Sequence, residues 1–308
     1  MLKNHTFYYR EGEVILYNLR VVLISCLGLV LLSCSHLNHS EKKIRVMTFN
    51  IRVNVPSDSL NAWPYRKEIA ASMIRFHHAD IIGIQEALYD QVKDLAERLP
   101  DYDWFGVGRD DGNKEGEFMA IFYLKRRFIV TNNSTFWLSE NPGIPGKGWD
   151  AACNRIVTWG KFKDNNTAKT FFHFNTHFDH VGEIAREESA KLLLKYIKDI
   201  ADDSDAIITG DFNSTPNSTI YKILTHNSEE EPELRLIDTR MISINPHHGP
   251  SSTFTGFKLS KLMEKGQPID YIFITNNIKI FNHGTLSDTF DGLFPSDHMP
   301  VLAEIAIE

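Results

Sequence analysis

The stretch Ile207-Ile208-Thr209-Gly210-Asp211-Phe212-Asn213 constrains this chain most. Ala206 to Ile208 is a short apolar run of the kind that forms a buried strand. Gly210 permits a sharp backbone turn, and Asp211 and Asn213 follow two residues apart. Residues i and i+2 of an extended segment face the same way, so a carboxylate and an amide would leave a rigid strand side by side. A carboxylate placed there can take a proton from water or face a metal, and an amide can donate to an oxyanion. The same four residues also suit a simple turn. The rest of the chain decides between the two.

Similar punctuation recurs along the chain. Residues 42–50 read as a strand in which Ile44, Val46, Thr48 and Asn50 alternate with Arg45, Met47 and Phe49. A polar loop over 54–61 leads to a helix over 64–78, with Ile69, Met73, Ile74 and His77 at helical spacing. Residues 79–85 form a second buried strand running into Glu86, and 89–99 a helix stopped by Pro100. β-rich segments follow at 102–105, 118–124 and 128–138, then a long loop marked by glycines and prolines over 139–148. Strands over 154–162 and 169–176 pair across a turn at 163–166, and 183–199 is an amphipathic helix. A short helix over 218–224, an acidic surface loop over 229–233 and strands over 269–275, 278–283 and 301–307 complete the chain. No repeat or linker divides residues 44–308, so one mixed α/β domain is expected.

Asn50, Glu86, the pair Asn175 and His177, the pair Asp211 and Asn213, Asp270, and Asp297-His298 all fall at strand ends or just after them. Each alone has an ordinary reading: a helix cap for Glu86, a core histidine for His177, a solvated strand start for Asp270. Together they point to one shared site.

Composition limits the partners. The 308 residues carry a formal charge of −7. Without residues 1–33, which hold Lys3, Arg10 and Arg20 against Glu11 and Glu13, it is −8 (−7 − 3 + 2). Duplex nucleic acid is not favoured as a partner, because such binding rests on lysine and arginine against phosphates. The expected form is a monomer. Val21 to Leu32 is an apolar run behind Arg20, too short to span a bilayer and suited to a secretory signal. It ends in Leu31-Leu32-Ser33-Cys34, which looks like a bacterial lipoprotein processing site. Residues 1–33 are then expected to be a signal peptide, Cys34 a lipidated anchor to the cell-envelope membrane, and 34–43 a short tether. Cys26 would leave with the signal, so only Cys153 remains free and no disulfide is expected in the domain.

The segments Met47-Thr48-Phe49-Asn50-Ile51-Arg52, Ile84-Gln85-Glu86, Asn175-Thr176-His177-Phe178-Asp179, Gly210-Asp211-Phe212-Asn213, Ile269-Asp270-Tyr271-Ile272 and Ser296-Asp297-His298-Met299-Pro300-Val301 carry a resemblance. Their types and order are similar to those of the endonuclease/exonuclease/phosphatase superfamily, over about residues 44–307. Glu115-Gly116-Glu117-Phe118 ahead of Ile121-Phe122-Tyr123 looks closest to its deadenylase-like branch. The resemblance implies a four-layer α/β sandwich, two stacked mixed β-sheets flanked by helices, with the site at one end. It implies Glu86 as principal Mg²⁺ ligand (Mn²⁺ being the alternative ion), with Asn50 and Asp297 in the same shell, in keeping with the preference of Mg²⁺ for oxygen. Asp211 and His298 resemble the pair that activates water, and Asp270 the carboxylate that pairs with the histidine. Asn213 and His177 would contact phosphoryl oxygens, with Asn175 beside them.

Arg155 opens a strand aimed at the same end, and a guanidinium fork matches phosphate oxygens. It is a candidate substrate contact. The reading is a metal-dependent hydrolase of phosphate esters. A phosphodiester in nucleic acid, nucleotide or lipid headgroup is preferred, with a sugar or inositol phosphomonoester as alternative. Substrate choice is assigned to the loops 109–117, 139–150 and 245–266. A non-catalytic binding protein of the same fold would be marked by loss of Glu86, Asp211 or His298, and all three are present.

Overall fold

The computed structural model describes residues 43–226, 234–275 and 278–308. The expected signal peptide, Cys34 and the acidic run at 229–233 lie outside the described residues. Among the described residues no helix is long and apolar enough to cross a membrane.

β1 (Ile44–Asn50) pairs in parallel with β2 (Ile81–Gln85) and antiparallel with β12 (Val301–Ile307). β11 (Ile278–Thr285) extends this sheet on one side, and β4 (Ile121–Leu124) and β3 (Tyr102–Phe105) on the other. The second sheet lines up β5 (Phe128–Trp137), β6 (Ile156–Asp164), β7 (Thr170–His177), β8 (Ala206–Asp211), β10 (Asp270–Ile274) and β9 (Ile237–Asp238) in that spatial order. β7 and β8 run parallel and their outer neighbours antiparallel, so both sheets are mixed.

Alternation assigns each face a partner. Ile44, Val46 and Ile81 of the first sheet meet Phe162, Ile207 and Ile272 of the second. On its far face the first sheet turns Met47, Phe49 and Ile84 to α1 (Trp63–Phe76) and α2 (Tyr89–Arg98). The second turns Phe172, Phe174 and Ile208 to α3 (Glu183–Ala201) and α4 (Thr219–Thr225). The result is the expected four-layer sandwich. Burial on both faces is why the central strands read as nearly continuous apolar runs.

Three local features differ from the sequence reading. The polar stretch after β1 closes as a 3₁₀ helix, Pro56–Asn61, with proline in its first turn. β4 starts at Ile121, later than expected, because Phe118 makes isolated bridges to Ala87 and Gly108 instead. β9 and α5 (Thr239–Ile242) are too short to leave a periodic signal.

Two histidines lie in the packed interior. His173 is fully buried on β7 and burial holds its imidazole down at about 3. His283 is held at about 3 by burial, with His247 and Arg240 adding to it. Unfolded histidine titrates near 6.5. Above that pH neither state is charged. On acidification the unfolded chain takes up the protons first, so stability falls between about 6.5 and 3. At pH 5 each group costs about 2 kcal/mol. Raised carboxyls such as Asp211 act the other way in wild type and variant alike, so the comparison isolates the histidine: between pH 7 and pH 5 His173→Gln should lose about 2 kcal/mol less unfolding free energy in urea than wild type. Identical pH slopes for the two proteins would refute this account.

Candidate active site

The parallel registers bring strand ends to one edge. Asn50 and Gln85 are paired residues at the ends of β1 and β2, and His177 and Asp211 are paired at the ends of β7 and β8. Asp270, the first residue of β10, lies opposite Asp211. Glu86 follows Gln85 with φ of 63°, a left-handed conformation uncommon outside glycine, and Asn213 follows Asp211 with φ of 47°. Strain of this kind gathers at functional sites.

Asn50 ties the two sheets together at this edge. Its Nδ2 donates to Glu86 Oε1 at 2.9 Å and to Asp211 Oδ2 at 3.0 Å, while its Oδ1 accepts from Arg52 N at 3.0 Å. The expected metal ligand thus brackets two carboxylates through its nitrogen, while its oxygen keeps a second lone pair beside the Arg52 N–H. Glu86 Oε2 accepts from Val53 N at 2.9 Å. The Asn213 amide nitrogen donates to Phe178 O at 3.0 Å and lies 3.1 Å from His177 Nε2.

His298 sits between the acids. Its Nδ1 is 2.9 Å from Asp270 Oδ2 and its Nε2 is 3.7 Å from Asp211 Oδ2. Burial disfavours its charged form, but Asp270 and Asp211 outweigh burial and raise its pKa well above the ordinary value. Asp211 is pushed up to about 7 by burial and by the charge of Asp270. Glu86 is pulled the other way: burial is overcome by His298, by hydrogen bonds from Asn50 and Val53, and by Arg52. Burial also raises Asp297, with the charge of Glu86 adding to it against His298. His177 is kept well below its usual value by burial and by Arg155.

The loop carrying Asp297 and His298 is tied on several sides. Thr255 N donates to Asp297 O at 2.8 Å, Met299 N to Thr253 O at 2.6 Å, and Ser296 Oγ to Asn50 O at 2.7 Å. Arg66, 1% exposed on α1, donates through Nη1 to Ile51 O and Pro295 O, each at 2.8 Å. It thereby joins the segment after β1 to the segment before Asp297. A buried arginine inside a helix leaves no signal in the sequence that separates it from a surface one.

These groups face a cavity of about 340 Å³. Its wall holds Arg155, whose Nε is 3.2 Å from Asp179 and whose Nη2 is 2.9 Å from His180 Nδ1. Arg109 and Glu117 also line it, paired at 2.6 Å. Of the three loops to which the sequence assigns substrate choice, 109–117 contributes this pair and 245–266 contributes Phe254. The third, 139–150, places no side chain in the pocket. Instead Asp150 Oδ1 accepts from Ala185 N at 2.6 Å in the first turn of α3. A larger cavity of about 610 Å³, lined by His77, His78, His248 and His283, holds none of the convergent acid–base groups.

Asn175 is a correction. It is fully buried between the sheets, and its amide donates to Ile84 O at 2.8 Å and Ala120 O at 3.1 Å. Its oxygen accepts from Gln85 and Thr209. It has no group left for substrate.

The donor set fits a divalent cation. Glu86 and Asp297 both border the pocket, and the charge of Glu86 disfavours ionisation of Asp297. Asp211 and Asp270 oppose one another in the same way. A cation would relieve this repulsion, and hard carboxylate oxygens match Mg²⁺. Ligand atoms of Glu86, His177 and Asp211 lie within 4.8 Å of one another.

The profile of the Endonuclease/Exonuclease/phosphatase family matches residues 47–298. An endonuclease/exonuclease/phosphatase from Bacteroides vulgatus superposes with a TM-score of 0.81 at 42% identity, over 86% of this chain and 99% of its own. A mannosyl-6-phosphatase from Bacteroides thetaiotaomicron superposes with a TM-score of 0.79 at 36% identity, over 85% of this chain and 99% of its own. Nocturnin of Drosophila melanogaster is 23% identical over 75% of this chain, which spans 38% of nocturnin's length. The chain belongs to the Endonuclease/Exonuclease/phosphatase family of phosphate-ester hydrolases.

Proposed function

We propose that the protein is a Mg²⁺-dependent phosphomonoesterase acting on a small sugar-like phosphate. The observation that carries this reading is the pocket lining. Around the strand ends the cavity is compact, about 340 Å³, and walled by Arg109, Glu117, Arg155 and His180. Paired charged groups of this kind suit hydroxyl-bearing ligands. Among the described residues Phe254 is the one benzene-type ring in the lining, whereas single-stranded nucleic acid calls for successive stacking rings in a basic groove. Trp137 points inward, donating to Arg109 O at 2.7 Å. The 36% identical relative named as a mannosyl-6-phosphatase supports the same choice over the phosphodiester preferred from sequence.

Chemistry follows from the two raised groups. The charges of Asp270 and Asp211 favour the protonated form of His298, which disposes it to give a proton rather than take one, and its Nε2 lies 3.7 Å from Asp211 Oδ2. Asp211, pushed up to about 7, is a carboxylate poised to accept the proton of the attacking water near neutral pH. Glu86 and Asp297 would hold the cation, which when bound supplies positive charge to the phosphoryl oxygens. Arg155, whose Nη1 makes no hydrogen bond in the protein, offers N–H donors to the same oxygens. The lipid anchor at Cys34 would place this activity at the envelope surface.

One experiment tests both parts. Hydrolysis by the purified chain is measured with Mg²⁺ and with EDTA, as inorganic phosphate from hexose 6-phosphates and inositol phosphates, as nucleotides from single-stranded RNA and as phosphocholine from sphingomyelin. Mg²⁺-dependent release from a hexose phosphate is expected, and from cells carrying Cys34→Ser the activity should move to the soluble fraction. Faster cleavage of RNA or sphingomyelin would overturn the monoesterase reading, and unchanged membrane retention would overturn the anchor.

A further inference from the structure

Beneath the site runs a second set of polar residues. On β1, Thr48 lies two residues before Asn50; on β2, Gln85 lies directly before Glu86. On β7, Asn175 lies two residues before His177, and on β8, Thr209 two before Asp211. All four are fully buried. They are also bonded to one another. Gln85 Nε2 donates to Thr48 Oγ1 at 3.0 Å and, across the gap between the sheets, to Asn175 Oδ1 at 2.7 Å. Thr209 Oγ1 donates to Asn175 Oδ1 at 3.0 Å and is 2.8 Å from His173 Nε2.

We propose that Gln85, Asn175 and Thr209 are positioning residues. They form a polar latch, one step below the site, that sets the offset of one sheet against the other and so brings the strand-end groups into reach. The claim rests on the reading of that edge as a phosphoesterase site.

The physical argument is one of direction. Elsewhere the gap between the sheets is filled by side chains such as Ile44, Val46, Ile81, Ile207 and Ile272. Apolar contact is non-directional, so it resists separation better than sliding. Hydrogen bonds lose strength steeply when distance and angle depart from ideal, and a buried polar group left unpaired is costly. Gln85 Nε2, both amide atoms of Asn175 and Thr209 Oγ1 therefore find their partners at one offset, with Gln85 Oε1 alone left unpaired there. That offset is the one at which Asn50 of the first sheet reaches Asp211 of the second at 3.0 Å.

Gly83 supplies an independent sign. A Cβ there would lie 2.1 Å from Thr209 Oγ1 and 2.4 Å from Asn175 Oδ1. The first sheet thus gives up a side chain opposite the latch, which lets the polar groups close. Asn175 shows the division of labour. It stands on the second sheet, yet its bonds to Gln85, Ile84 O and Ala120 O all reach the first.

The test uses Thr209→Val, which keeps the branched shape and removes the hydroxyl, and Thr209→Ser, which keeps the hydroxyl. Gln85→Met is the third variant. Kinetics are measured well below each melting temperature, and Mg²⁺ is titrated calorimetrically into the metal-free proteins. Groups that orient a site from behind are expected to change its affinity or rate by about 10–100-fold. Thr209→Val should lower kcat at least about tenfold at nearly constant KM, Thr209→Ser should recover it, and Gln85→Met should weaken Mg²⁺ binding by about tenfold. A Thr209→Val protein with wild-type kcat would overturn the proposal. So would a serine variant that fails to recover, or a Gln85→Met protein with wild-type Mg²⁺ affinity. Should the wild-type chain hydrolyse no phosphate ester, the phosphoesterase reading falls. The latch is then judged on the Mg²⁺ titration of Gln85→Met alone.

Discussion

Asp211→Asn should lower kcat by about a thousandfold, within the range expected for loss of a positioned general base, at an unchanged or higher melting temperature. The substitution is nearly isosteric. Asn213 N, which donates to Asp211 Oδ1 at 2.9 Å, keeps an acceptor. What disappears is a buried negative charge that already opposes its neighbour, since burial and Asp270 push Asp211 up to about 7. Removing it relieves that repulsion in the folded state, so stability should hold or rise while function is lost, the usual trade at a strained site. The cost is a new contact, because the introduced Nδ2 would face Asn50 Nδ2 where Asp211 Oδ2 now accepts at 3.0 Å. Paired measurement of kcat and melting temperature separates the two effects. An Asp211→Asn enzyme within tenfold of wild type would remove Asp211 from the base role. A large fall in melting temperature would instead make it a structural acid.

How much of this was legible in the chain depended on whether the information was local. The apolar run ending at Asp211 marks a strand because burial on both faces demands it, and the same holds at Asn50 and Gln85. The layers follow once alternation and helix spacing are known. Asn175 and Asn50 show the limit. Both are polar residues near the ends of apolar strands, and in sequence they look alike. Only the packed sheets reveal that Asn175 spends its bonds on Gln85, Thr209 and two carbonyls, and that Asn50 turns its amide nitrogen to the carboxylates. Arg66 was illegible for another reason: its partners Ile51 O and Pro295 O are backbone groups, which carry no residue identity. The Arg109–Glu117 pair lay inside a loop marked as substrate-selecting, but its 2.6 Å contact depends on how that loop folds back.

Glu86→Gln is expected to act through the metal, and this distinguishes it from Asp211→Asn. Glutamine keeps the length of the side chain and one of the two acceptors now used by Asn50 Nδ2 and Val53 N, each at 2.9 Å. The backbone at φ of 63° asks the same of either residue. The charge is what goes. Burial and its surroundings leave Glu86 more readily ionised than an ordinary glutamate, because His298, Asn50, Val53 and Arg52 all favour the anion. Glu86 is thus a standing negative charge beside Asp297, available to a hard cation at neutral pH. Its loss should weaken Mg²⁺ binding by about 10–100-fold, or about 1.4–2.8 kcal/mol. It should also let Asp297 ionise more easily, since the charge of Glu86 now holds that group up. Hydrolysis at low Mg²⁺ should therefore collapse, and raising Mg²⁺ should restore a large part of it. No Mg²⁺ concentration should rescue Asp211→Asn. A Glu86→Gln protein with wild-type Mg²⁺ affinity and an unrescued rate would place Glu86 in proton transfer, and the metal would then have to rest on Asp297.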